Sequence, residues 1–384
     1  HGAHLAQALR EADPNVELHG VGGPHMAAVP VTLLPGIERV DVIGVPGPKA
    51  VMAAIGNLRR MAEHLRATTW DVVVLVDHPG TNLRLARFAK QAGHRIVYYI
   101  APQLWAWRPG RIRQMQQYVD HVAVILPFEA ELYRKAGVRC TFVGHPLLDT
   151  VPTTYDQAEF RRRFGLTSAG PVIGLLPGSR EQEIHRLLPL LLESAGALKQ
   201  EFPNLELVLA QAGSVSEEWL NGPIRASGLP VTIVRDQANE VMAASDLLLV
   251  ASGTATLQAA IVGTPMIITY RTSWVGWQIA KRLVRVQWAG LANLVAGREI
   301  IPELIQSNAT VDRMVSEALR LLRDRPAWER MRGELRATEM RLVAPQFGIG
   351  LDDAGKIDWP ALRSTPRPEP VPGVEEPADE QVDA

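Results

Sequence analysis

The 384-residue sequence has a single cysteine, Cys140, and no strong excess of either charge. It also has no apolar run near the roughly 18 residues that a membrane-spanning helix needs. One cysteine excludes an intrachain disulfide framework and fits a reducing cytosol. Without a long apolar run, the chain is expected to be soluble or to lie on a membrane surface. Forty basic residues stand against 41 acidic ones, and a formal charge of -1 argues against a nucleic-acid surface. Local basic clusters, Arg108–Arg113 and Lys281–Arg285, leave anion binding open. No signal peptide is evident. A Gly-x-Gly-x-x-Gly dinucleotide fingerprint with a trailing acid is absent too. Gly20-Val21-Gly22-Gly23 comes near it, but Pro24 follows at once and no helix is predicted there.

What the sequence does contain is strand and helix in alternation. Apolar runs at Val72–Val76, Ile96–Ile100 and Val122–Leu126 read as buried parallel strands, bounded by Gly, Pro and Asp. Val172–Leu176, Leu205–Leu209, Val231–Val234, Leu247–Val250 and Met266–Thr269 repeat the theme. Helical periodicity occupies His1–Arg10, Gly56–Arg66, Leu83–Gln91, Ile184–Phe202 and Val311–Arg323. This predicts an α/β protein of two doubly wound, parallel-sheet domains, with ligands in the cleft at the strand carboxyl ends. The N-terminal domain is expected over 1–150, a linker over 151–170 and the C-terminal domain over 171–345. From 346 to 384 the chain is rich in Pro, Glu and Asp and reads as a disordered tail.

In the C-terminal half, the run Leu247–Val250 leads into Ala251-Ser252-Gly253-Thr254-Ala255-Thr256-Leu257. Such a strand, small-residue turn and helix start lets a phosphate approach free N–H groups at the positive end of a helix dipole. An ordinary N-capped helix fits the same residues. Pro177-Gly178-Ser179-Arg180 repeats the arrangement after Val172–Leu176 and adds a cation. Arg180 suits a diphosphate, or alternatively an ion pair with Glu183 one turn on. Two such turns in one domain favour a diphosphate leaving group.

In the N-terminal half, Asp77 ends the strand Val72–Val76. A carboxylate there could act as general base toward a sugar hydroxyl, or be a turn acid ahead of Pro79-Gly80. Tyr98 through Arg108 runs from a strand into a Pro turn bearing Trp105, Trp107 and Arg108. Those aromatic faces and cations suit a sugar or an anionic lipid headgroup, and core packing is their other use. His145 either reaches the cleft or serves the domain junction.

In this order, these segments resemble lipid-A-disaccharide synthase. The matching stretches are Gly22-Gly23-Pro24-His25-Met26, Asp77-His78-Pro79, Pro102 through Arg111, Leu126-Pro127-Phe128-Glu129 and Phe142 through Leu147. Leu175 through Arg180, Ala251 through Thr256, Tyr270-Arg271, Ile279 through Val284 and Asn293 through Glu299 complete the set, which spans roughly Leu5 to Leu322. The resemblance implies a GT-B architecture, with the last helices packing back on the N-terminal domain. It also implies an inverting, metal-independent glycosyltransferase that needs no cofactor. Its donor would be UDP-2,3-diacylglucosamine and its acceptor 2,3-diacylglucosamine 1-phosphate, giving a β-1',6 disaccharide and UDP.

By position Asp77 becomes the base and Arg180 the essential arginine. Gly178, Ser179, Ser252, Gly253, Thr254, Ala255, Thr256, Gln258, Tyr270 and Asn293 would line the UDP-sugar. Asn82, Trp105, Trp107, Arg108, His145 and Arg271 are acceptor or headgroup candidates. The resemblance places the protein on the inner face of the cytoplasmic membrane as a peripheral protein, and a homodimer is among the assemblies it admits. The chain departs from the family pattern at Gly80, where a second acid is usual, at Gln258, also usually an acid, and at Pro46 and Pro48. The family opens with a strand and a Gly-Glu-x-Ser-Gly-Asp loop; His1 falls just after that loop, so the chain reads as N-terminally truncated. A UDP-N-acetylglucosamine epimerase, a peptidoglycan transferase and a non-catalytic lipid- or partner-binding relative are the competing readings.

Overall fold

The computed structural model describes residues 1–37, 48–106, 109–152, 154–283 and 286–343. The N-terminal part begins with α1 (Gly2–Ala12), β1 (His19–Gly20), the single turn α2 (Pro24–Ala27) and β2 (Thr32–Leu33). β1 and β2 pair in parallel, His19 opposite Thr32. Then come α3 (Pro48–Ala67), β3 (Val73–Val76), α4 (Pro79–Gln91), β4 (Ile96–Tyr99), α5 (Ile112–Tyr118), β5 (His121–Val124), α6 (Pro127–Lys135) and β6 (Cys140–Phe142). β3 to β6 form a four-stranded parallel sheet in sequence order. Its core joins Leu75, Tyr98, Val122 and Val124 to Leu83, Ala86, Met115 and Tyr133 of the flanking helices. The short helix after Gly23 was not expected from the sequence; Pro24 at its first position is where a helix tolerates proline best.

The C-terminal part carries β7 (Val172–Leu176), α8 (Glu181–Glu201), β8 (Glu206–Gln211), α9 (Glu217–Ser227), β9 (Val231–Arg235), α10 (Ala238–Ala244) and β10 (Leu247–Ala251), with α7 (Gln157–Arg163) ahead of them. It continues with α11 (Thr254–Val262), β11 (Met266–Tyr270), α12 (Trp274–Leu283), α13 (Leu291–Ala296), β12 (Glu303–Ile305), α14 (Val311–Arg323) and α15 (Arg325–Leu342). Its six strands are all parallel, in the order β9-β8-β7-β10-β11-β12. Counted within the unit this is 3-2-1-4-5-6, the doubly wound order of dinucleotide-binding folds. β7 and β10 are buried at every residue, which is why they read as unbroken apolar runs.

The stretch 151–170, expected as a linker, contains α7. Asp156 caps it by accepting the Glu159 N–H at 2.9 Å. Phe160 and Phe164 pack on Val172, Val234 and Val241, so the helix belongs to the C-terminal sheet. The two units meet at an apolar joint of Leu126, Leu147 and Val151 with Leu257, Ile261, Val295 and Leu342. There α15 closes back on the N-terminal unit, and the His145 N–H donates to the Leu342 carbonyl at 3.0 Å. Residues 346–384, and the segment Gly44–Lys49 except the described Pro48 and Lys49, lie outside the described residues.

Candidate active site

In a sheet ordered 3-2-1-4-5-6 the chain leaves its first and fourth strands in opposite directions, opening a crevice at their carboxyl ends. Here those strands are β7 and β10, paired with Leu176 opposite Val250. The turns that follow are the two singled out in the sequence, so Pro177–Arg180 and Ser252–Thr256 stand side by side. Gly253 has φ +152°, ψ -162°, a conformation that only glycine holds without strain. It begins α11, and no side chain caps that helix, so its first N–H groups face outward. Thr254 is exposed beside them.

Gly178 has φ +111° and begins the matching turn. There Glu183 lies over the backbone: its carboxylate accepts the Ser179 N–H at 3.2 Å and the Arg180 guanidinium at 2.7 Å. The ion pair foreseen for Arg180 thus forms, while 72% of the Arg180 side chain stays exposed. An anion entering this turn meets a guanidinium and backbone donors that already hold a carboxylate.

In the N-terminal unit, Asp77 follows β3. Asp77 and His78 both take left-handed backbone, φ 48° and 46°. Each such residue costs roughly 1–3 kcal/mol unless its surroundings hold it. Here the Tyr98 hydroxyl and the Asn82 amide both donate to the Asp77 carbonyl at 2.7 Å, and the Asp77 N–H donates to Tyr99 at 2.9 Å. Burial, and behind it the Asp77 carboxylate, push the Tyr98 phenol well above its ordinary value, so it remains a donor. Asn82, expected near the acceptor, spends its amide on the Asp77 and Val76 carbonyls and fixes the Asp77 backbone instead.

Between the units lies a cavity of about 270 Å³. Gln103, Trp105 and Ala106 form its N-terminal wall, Gly253 and Thr254 its floor. Val286, Trp288, Ala289, Leu291 and Leu294 close the far side. The Trp105 indole N–H donates to Glu129 at 3.0 Å, and its ring meets Phe128 edge-on at 5.1 Å. Glu129 is 1% exposed, and burial raises its carboxyl to about 7. Its other oxygen accepts the Leu126 N–H at 3.1 Å.

Opposite, Glu303 accepts the N–H groups of Ala289 (2.7 Å) and Gly290 (2.9 Å) and the Asn293 amide (2.7 Å). Burial raises this carboxyl too. Ser252 donates its hydroxyl to the Ala289 carbonyl at 2.8 Å. Glu303 and Glu129 escaped the sequence reading. Glu129 stood inside the quoted Leu-Pro-Phe-Glu stretch without a role, and a glutamate opening a three-residue strand carries no signal.

The other expected residues divide between cleft and frame. Asn293 is wholly buried: it donates to Ile301 and Glu303 and accepts the N–H groups of Ile300 and Ile301. It therefore supports the strap 286–290 and has nothing left for a nucleotide. Thr256 is likewise buried, its hydroxyl donated to the Gly253 carbonyl at 2.8 Å. His145 is buried, accepts the Leu147 N–H at 3.2 Å through Nδ1 and is lowered by burial to about 4; it is a neutral junction residue. Arg271 is tied to the Ala309 carbonyl. Gln258 is half-buried, its amide 3.5 Å from Asn239 Oδ1. Ala255 and Tyr270 are half-buried, Tyr270 at the end of β11. Trp107 and Arg108 lie outside the described residues.

Two parallel α/β units with anion-receptive turns at the crossing point of one, and an acid at a strand end of the other, define a GT-B fold. The solved structures agree on that fold. A UDP-GlcNAc 2-epimerase from Neisseria meningitidis bound to UDP-GlcNAc has a TM-score of 0.59 at 12% identity, over 88% of this chain and 94% of that one. An Anabaena protein in complex with UDP and glucose has a TM-score of 0.56 at 14% identity, over 90% and 92%. The profile of the lipid-A-disaccharide synthetase family matches residues 1–340, and the chain belongs to that family. Lipid-A-disaccharide synthase of Trichlorobacter lovleyi is 41% identical over 328 residues, 84% of this chain and 85% of that protein. The enzyme of Geobacter sulfurreducens is 39% identical over 346 residues, 89% of each.

Proposed function

We propose that this chain is a lipid A disaccharide-forming glycosyltransferase: it transfers a 2,3-diacylglucosamine from UDP to the 6-hydroxyl of 2,3-diacylglucosamine 1-phosphate. Family membership supports the reaction. The observation that carries the site assignment is the pair of anion-receptive turns on adjacent strands, β7 and β10. In this reading the Asp77 carboxylate takes the proton of the acceptor hydroxyl as its oxygen attacks the anomeric carbon from the face opposite UDP, inverting it. The departing UDP leaves its charge on the N–H groups at the start of α11, on the Gly178–Ser179 turn and on Arg180. Thr254 is free to add a hydroxyl. Arg180 reaches the diphosphate by sharing or leaving Glu183.

Both substrates carry acyl chains, so the enzyme works at the inner face of the cytoplasmic membrane. Among the described residues no helix is long and apolar enough to cross a membrane. The helix α12 suits contact with a membrane surface: Trp274 at its start is 75% exposed, and the exposed Lys281 of its last turn sits over the Trp277 ring at 5.2 Å.

The test is disaccharide formation from the two purified substrates. The unaltered protein is expected to release UDP and form the β-1',6 product. Asp77→Ala should lose turnover by two or more orders of magnitude while retaining UDP, and Arg180→Ala should lose both. An unaltered protein that binds UDP without forming product would sink the reaction. Variants as active as the parent would sink the residue roles.

A further inference from the structure

The two anion-receptive turns share a plan, since each opens on a glycine of positive φ after a buried strand. They differ in what fills them. At the start of α11 no side chain caps the helix, and its first N–H groups face outward. At the start of α8 the place of an anion is taken by a side chain of the helix itself. Arg180 is the N-cap residue and Glu183 the third residue of that helix. A glutamate in this position ordinarily turns back onto the N–H of the N-cap residue. Here the carboxylate reaches one residue further and accepts the Ser179 N–H at 3.2 Å, and its other oxygen accepts the Arg180 guanidinium at 2.7 Å.

Gly178 makes that reach possible. A Cβ there would stand 2.6 Å from a Glu183 carboxylate oxygen and 2.9 Å from the Glu183 Cβ. The carboxylate is thereby drawn into the turn: its side chain is 15% exposed, against 72% for Arg180. The turn has a second support from the loop after β8, where the Ser214 hydroxyl donates to the Ser179 carbonyl at 3.3 Å. A carboxylate and a diphosphate seek the same donors, a planar guanidinium fork and a backbone N–H. Both cannot hold them in full, and two anions brought that close repel each other.

We infer that Glu183 is a positioning residue that stands in for the diphosphate: it holds Arg180 before the nucleotide arrives, yields it on binding and takes it back as UDP leaves. The inference rests on the proposed nucleotide site. Glu183 touches no substrate in this role and acts through Arg180. Its presence weakens UDP binding, because the apparent dissociation constant rises as the fraction of molecules with an unpaired Arg180 falls. For an ion pair with one partner exposed, the effect is about two- to fivefold.

Calorimetry on the full chain with UDP and with uridine, which carries no diphosphate, tests this. Glu183→Gln keeps an oxygen for the Ser179 N–H and removes the charge. It should raise the ratio of UDP affinity to uridine affinity about two- to fivefold, with uridine binding itself where it was. A glutamate that only caps α8 predicts the opposite sign, since its loss would loosen the turn and weaken UDP. The inference is overturned if the ratio stays where it was or falls. It falls together with the nucleotide site if the unaltered protein binds UDP no better than uridine. A ratio that rises in a protein forming no disaccharide would leave the inference standing and remove the proposed reaction.

Discussion

Asp77 and His78 are consecutive left-handed residues without a glycine, and three hydrogen bonds hold the first of them in place. Tyr98→Phe removes one of those bonds without emptying the core. The cost should be about 1 kcal/mol in urea unfolding. Turnover should fall further than that, with UDP affinity unchanged, because the carboxylate rather than the nucleotide turn has been loosened. At the joint, two buried groups titrate in opposite senses. Glu129 ionises near 4.5 when unfolded and near 7 when folded, so its burial lowers stability as pH rises through that window. The loss is on the order of 3 kcal/mol when complete. His145 is lowered from 6.5 to about 4, so the stability its neutral form gives is intact above 6.5 and lost as pH falls toward 4. Between about 4.5 and 6.5 the two slopes offset each other. Glu129→Gln should unmask a stability that drops as pH falls, and His145→Asn one that drops as pH rises; urea midpoints across pH 4 to 8 would read both. The positions of Asp77 and Arg180 were legible because a strand end and a Gly-Ser-Arg turn announce themselves. The burial of Asn293 and Thr256 was not, because residue type alone does not say whether an amide or hydroxyl turns inward.

Among the elements, α11 depends on Gly253 more than on any side chain at its start. A Cβ added there would meet nothing within 4 Å, so Gly253→Ala tests backbone strain without a clash. It should weaken UDP binding by roughly tenfold or more, as the turn gives up a conformation costing 1–3 kcal/mol. Gly178 differs, since a Cβ there would stand 2.6 Å from a Glu183 oxygen and displace the carboxylate as well. The central strands β7 and β10 were legible as apolar runs, whereas β1 and β2, two residues each, are too short to show any period. α7 was hidden by the prolines and threonines ahead of it. Its Asp156-x-x-Glu159 start is a capping signature that could have revealed it.

Among the described residues the four- and six-stranded sheets are joined through a small apolar cluster; strand–helix alternation alone made two doubly wound domains readable, and the family resemblance supplied the GT-B architecture. The return of the last helices to the N-terminal domain came with the resemblance, but which residues make the joint was not readable, because nothing local in Leu342 tells that it clusters with Leu126 and Leu147. Leu342→Ala should cost about 2–5 kcal/mol and fall on the joint rather than on either sheet. Scanning calorimetry should then separate one cooperative unfolding event into two; a single sharp transition at a lowered midpoint would show that the units are coupled elsewhere. The same helix end has a consequence for the ribosome. Some 200 residues separate β6, the last strand of the N-terminal sheet, from Leu342. At 5–20 residues per second they take about 10–40 s to emerge. During that interval the nascent N-terminal half holds Leu126 and Leu147 open to water, a recurring opportunity for chaperones and for mispairing that ends only when α15 leaves the tunnel.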